Sequence, residues 1–183
     1  VNTVDGILST VVSKGSSTPE LLEENFVSST FLDSVLVAAI LMVEERGTGE
    51  HFLDMIGTWR TDWAAEPPTV PPEPMTERVL EAAETYPNNR LIAQYLQPHY
   101  PFVGPTGRGL PHPTVTGPGV PDHGAEDTTY VGGQDVSGEL DSGIIWQAYR
   151  GNPELVLPSG DRLMNHLPGK TVVTSDHGNG FGE

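Results

Sequence analysis

The chain has 183 residues, with 25 Asp and Glu against nine Lys and Arg, a formal charge of −16, and no cysteine. The length fits one ordinary domain or part of a larger one. The charge argues against a nucleic-acid module, because phosphate-backbone binding rests on Lys and Arg, and the missing cysteines exclude disulfides, thiolate zinc sites and cysteine nucleophiles. Leu, Ile, Val and Phe number 45, about a quarter of the chain and above the roughly one-fifth below which disorder is expected, so a packed core is expected. Only two of the cations are lysines, Lys14 and Lys170. A carboxylate-rich, lysine-poor surface suits molar salt, where the Debye length falls to about 3 Å and self-repulsion is screened, and it marks the chain as halophilic in character. The longest apolar run, residues 35–43, has nine residues where a membrane span needs about 20. Acidic residues flank it, so it is a poor signal-peptide core as well, and a cytoplasmic protein without a membrane partner is expected.

In chain order, Thr18 is placed to cap a short helix opening at Pro19, with Glu20, Glu23 and Glu24 near its positive end. Residues 31–46 read as a buried helix. Phe52, Met55, Ile56, Trp59 and Trp63 recur at threes and fours, the spacing of an apolar helix face. Five prolines in residues 66–74 fix φ and remove backbone donors, which implies an extended connector. Residues 75–85 form a helix with Met75, Val79, Leu80 and Ala83 on one face, stopped by Pro87. Residues 90–96 are short, apolar and strand-like. Residues 98–124 carry seven prolines and six glycines, too many for regular structure, and a loop of that length usually has a function or is disordered. Residues 141–150 have helical spacing, and Pro153, Pro158 and Gly160 interrupt its continuation. Residues 169–174 read as a β-branched strand ending in Ser175, Asp176, His177 and Gly178. Helices alternating with strands imply parallel pairing through crossovers. The expected class is therefore α/β, a mostly parallel sheet flanked by helices. The expected organisation is a helical and irregular segment at 1–66, a proline-rich connector at 67–74, and an α/β domain at 75–183.

Ligands of open parallel sheets bind beyond the carboxyl ends of the strands, and two expected strands run there into ionisable residues. The first leads to His99 and Tyr100. The second leads to Asp176 and His177, a hard oxygen and an imidazole nitrogen able to share one divalent cation, with Gly178 free to turn the chain away. The same tripeptide recurs at Asp122, His123 and Gly124, but inside the Pro/Gly loop, so Asp176 and His177 are the expected metal ligands.

Thr171-Val-Val-Thr-Ser-Asp-His-Gly178, with Gln97-Pro-His-Tyr-Pro-Phe102 upstream, resembles the sulfatase-like branch of the alkaline phosphatase superfamily, in particular sulfatase-like proteins of haloarchaea. Trp146-Gln-Ala-Tyr-Arg150, Leu167-Pro-Gly-Lys170 and Tyr86-Pro87 are similar to that group too, and the resemblance covers residues 59–183. It implies hydrolysis of a sulfate or phosphate ester at a divalent metal that acts as Lewis acid. Asp176 and His177 would be metal ligands and His99 a contact to the anionic ester substrate. Asp and His suit Zn²⁺ or Mn²⁺, Mg²⁺ is also open, and Ca²⁺ would want more oxygen. His112, His123 and His166 match no motif.

The family also carries an N-terminal nucleophile with an early acidic metal ligand, and a further histidine-bearing stretch. Neither pattern occurs here. Ser9, Thr10 and the run Ser16, Ser17 and Thr18 are hydroxyls without a supporting motif. The sequence therefore suggests an incomplete sheet and a partial or divergent hydrolase, inactive in isolation. The alternatives are a non-catalytic binding protein that uses the 98–124 loop, or a decayed gene product.

Overall fold

The structure, a computed structural model, describes residue 7 and residues 9–110 and 141–177. Its centre is a parallel sheet built around β1 (Phe31–Ala38), with β2 (Phe52–Gly57) on one side and β5 (Arg90–Gln94) on the other. Val35 of β1 stands opposite Asp54 and Leu91, and Val37 opposite Ile56 and Ala93. A two-stranded antiparallel ladder, β3 (Ala64–Ala65) with β4 (Pro68–Thr69), follows β2. The class is α/β, and the sheet draws strands from both sides of the proline-rich stretch.

Two expected helices are strands. Residues 31–46 hold β1 and then the short α2 (Met42–Glu45). Ser34, Val35, Leu36, Val37 and Ala38 are all buried, so β1 is covered on both faces, and a strand so covered has a continuous apolar run with no alternation. Such a run has no period that distinguishes it from a buried helix; the β-branched Val35 and Val37 favour the strand. The spacing from Phe52 to Trp63 likewise comes from β2 and a 3₁₀ turn, Thr58–Arg60, that folds Trp59 back into the core at 1 % exposure. Gly57 permits that return, because a Cβ there would collide with the Trp59 ring.

The N-terminal helix, α1 (Thr18–Leu22), continues into a π-helical turn, Glu23–Val27, and has Ser17 rather than Thr18 at the cap position. Leu22 enters the core, and Phe26 joins Phe31 and Phe52 in an aromatic cluster with centroids 5.2–5.6 Å apart. The expected helix at 75–85 is present but starts earlier, as α3 (Pro72–Thr85). Pro72 and Pro74 belong to its first turn, where their missing N–H groups cost no helical bond, so the extended connector is shorter than expected. Met75, Val79 and Ala82 of α3 are buried in the core against the sheet. The strand at 90–96 is confirmed as β5.

The largest departures are near the C-terminus. Residues 142–166 form one helix, α4 (Ser142–His166), that runs through both Pro153 and Pro158. It is capped by Asp141, whose carboxylate accepts from the Ile144 N–H, and it packs on α3, with Arg162 paired to Glu77. Residues 169–174, expected as a strand, form no helix or strand, and Val172 and Val173 are 71 % and 69 % exposed. β-propensity becomes a strand only beside a partner, and this segment lies outside the sheet.

Candidate functional site

Residues 95–110 leave the carboxyl end of β5 and dock rather than wander. Gln97, 5 % exposed, donates through Nε2 to the Val70 carbonyl at 3.2 Å. Phe102, 3 % exposed, packs with Ile145 and Ala148 of α4 in a second small core edged by Tyr100, Leu110 and Tyr149. Gly107 lies against the Phe102 backbone where any Cβ would clash. Burial pushes the Tyr100 phenol well above its ordinary pKa, so it stays a neutral hydroxyl. His99, half-buried between these anchors, has Nδ1 3.1 Å from the Tyr100 carbonyl. A carbonyl can only accept, so Nδ1 carries the proton and Nε2 is the basic nitrogen of the neutral ring.

Asp176 and His177 lie close together although no strand leads to them. Asp176 Oδ2 is 3.5 Å from His177 Nε2, and the His177 side chain is 10 % exposed. Their backbone is tied down locally: Ser13 donates to the Asp176 carbonyl at 2.7 Å, Ser175 to that of His177 at 2.6 Å, and the His177 N–H to Asp176 Oδ1 at 3.0 Å. The His99 and His177 rings approach edge-on with centroids 6.3 Å apart. The three residues that the motifs single out are therefore neighbours. Asp122 and His123, with His112, lie outside the described residues. His166, on an exposed face of α4, has Nδ1 2.7 Å from the Arg162 carbonyl and stands apart.

The residue that motif reading passed over is Thr18. Its Oγ1 donates to Asp176 Oδ2 at 2.8 Å and is 3.3 Å from His177 Nε2. The hydroxyl run before Pro19 and the helix start mark it as a turn residue; a contact across 158 positions leaves no local signature.

Three donors thus converge: a carboxylate oxygen, an imidazole nitrogen and a hydroxyl, mutually 2.8, 3.3 and 3.5 Å apart. The 2.8 and 3.3 Å distances to the Thr18 hydroxyl are those of hydrogen bonds, and Asp176 and His177 carry the oxygen and nitrogen types that a divalent cation takes. Among the described residues no group of three or more His, Cys, Asp or Glu that could hold a metal ion forms. No helix of the described residues is long and apolar enough to cross a membrane. Comparison with protein-family models, curated proteins and solved structures finds no match.

Proposed function

We propose that this chain is a metal-dependent hydrolase of sulfate or phosphate esters in which Thr18 is the nucleophile. The observation that carries the reading is the Thr18 hydroxyl on Asp176 Oδ2, beside His177 Nε2. The sequence suggested an inactive chain because the family's nucleophile, early acidic metal ligand and further histidine-bearing stretch lack counterparts, and the Thr18 contact offers a candidate for the first of these. A resemblance to sulfatase-like members of the alkaline phosphatase superfamily, carried by the motifs around His99 and Asp176, points to the same chemistry.

Asp176 and His177 would hold a divalent cation, which supplies Lewis acidity toward the nucleophile and the anionic ester oxygens. Asp176 fixes the direction of the Thr18 hydroxyl and accepts its proton as the oxygen attacks sulfur or phosphorus. His99 faces His177 across 6.3 Å; in its protonated form Nε2 gives a proton to the departing ester oxygen. Water then attacks the threonine ester, giving a proton to the now neutral His99 Nε2, while Asp176 returns its proton to the Thr18 oxygen and sulfate or phosphate is released.

The test is turnover of 4-nitrophenyl sulfate and 4-nitrophenyl phosphate in about 2–3 M KCl with Zn²⁺, Mn²⁺, Mg²⁺ or Ca²⁺, a salt range of roughly 3 Å Debye length or less. Thr18→Ala is expected to lower kcat at least about a hundredfold, Thr18→Ser to keep much of it, and the D176A/H177A double variant to lose metal dependence. Turnover indifferent to Thr18→Ala sinks the assignment.

A further inference from the structure

Residues 98–103, between the end of β5 and the 3₁₀ turn at Gly107–Gly109, form no helix or strand, so their backbone groups need partners from elsewhere. One side chain supplies four of them. Asn152 of α4, at 0 % exposure, accepts from the Val103 N–H through Oδ1 at 2.8 Å. Through Nδ2 it donates to the His99 carbonyl at 3.0 Å and to the Pro98 and Pro101 carbonyls at 3.2 Å. The amide orientation is forced, since only the oxygen can accept from an N–H and only the nitrogen can face carbonyls. Two amide protons serve three acceptors, so one proton is shared. Beside this contact the loop and helix backbones come close: a Cβ built at Gly104 would stand 3.4 Å from the Gly151 carbonyl carbon.

Helix α4 itself gains little from an asparagine there. A buried amide is costly unless bonded, and the position precedes a proline, where helical backbone is disfavoured. Every bond that Asn152 makes with its side chain goes to the segment that bears His99, on both sides of that residue. The His99 ring is in turn tied to the same segment through the Tyr100 carbonyl.

We propose that Asn152 is the positioning residue for His99, and that its amide sets the imidazole's distance from His177 and Thr18. The catalytic meaning of that placement rests on the ester-hydrolase reading; the placement itself does not. The two are therefore tested by different signals.

The full chain, labelled with ¹³C and ¹⁵N in KCl, should show a nuclear Overhauser cross peak between the His99 and His177 rings. In Asn152→Asp, which keeps the shape but loses the donor, that peak is expected to fall at least fivefold, while methyl contacts of Val79, Ile145 and Leu163 persist. Leu163→Ala, which loosens α4 in the main core, is expected to lower the melting temperature and leave the ring–ring peak in place. A cross peak that survives in folded Asn152→Asp, or that is missing from the wild type, overturns the proposal. Should Asn152→Asp fail to fold, the wild type decides: its Asn152 Nδ2 protons are expected to exchange with solvent at least tenfold more slowly than those of exposed Asn165, and equal rates overturn the proposal. Absent turnover with an Asn152-dependent cross peak sinks only the hydrolase reading.

Discussion

Asp62 is a partly buried carboxylate whose charge matters because of one guanidinium. Arg78 donates to it through Nε at 2.9 Å and Nη2 at 3.3 Å, and those bonds hold its carboxyl below the ordinary aspartate range. A depressed folded-state pKa stabilises the fold above the unfolded value, near about 3.9, and the contribution is lost as pH falls through the folded value. Arg78→Ala should therefore cost about 1 kcal/mol at neutral pH. Urea titrations repeated below about pH 4 should show the gap to wild type closing; a gap independent of pH would assign the loss to packing alone. Thr76 presents a different balance. Its proton goes to the Pro72 carbonyl at 2.7 Å, so the 2.8 Å contact with Tyr95 is donated by the phenol, whose pKa burial raises. Thr76→Val should strand that hydroxyl and cost about 1–3 kcal/mol, read from the same titrations. Neither pairing has a sequence signature: Asp62 and Arg78 are 16 positions apart, Thr76 and Tyr95 are 19 apart.

The elements were unevenly legible, and the reasons are physical. α3 carried a clear pattern because only one of its faces is buried, and β5 was readable as a short apolar run between turn residues. β1 had none, being covered on both, and its apolar run imitates a helix. α4 erred in the other direction. Pro153 and Pro158 each remove a helical hydrogen bond and crowd the preceding turn, at about 3 kcal/mol or more apiece; yet the helix persists from Ser142 to His166. Ile145, Ala148 and Leu163 are buried along it, Asn152 is bonded into the 98–103 segment, and Arg162 is paired with Glu77. Tertiary contacts along its whole length outweigh two local penalties. The prolines therefore remain a cost the fold carries. Pro158 is exposed, so Pro158→Ala should stabilise by up to about 3 kcal/mol. Gly160, with open space where a Cβ would sit, should gain roughly 0.5–1 kcal/mol on change to Ala. Both are read as a rise in denaturation midpoint, and a fall for Pro158→Ala would mean that the bend at that position is required for packing.

At the scale of the whole molecule the charge of −16 governs behaviour. We infer that the fold is most stable in concentrated salt: the described ion pairs are mostly exposed and contribute little, whereas summed repulsion opposes compaction until it is screened. Thermal unfolding from dilute buffer to about 2–3 M KCl, where the Debye length is roughly 3 Å or less, should show a steady rise in midpoint, and a maximum at low salt would refute it. Asp176 and His177 were legible as a dipeptide and His99 from its flanking Gln and prolines. What joined them was not, because Thr18 reaches them across most of the chain and the strand expected to deliver them lies outside the sheet.

That long-range tie orders events during synthesis. Thr18 meets Asp176 and His177 only after the strands and α3 that lie between them in sequence have left the ribosome. The strands and α3 can gather around β1 before the candidate site forms, while Leu163 of α4 completes the core later. The Thr18 contact is therefore made only once residues 176 and 177 have joined the elements that precede them.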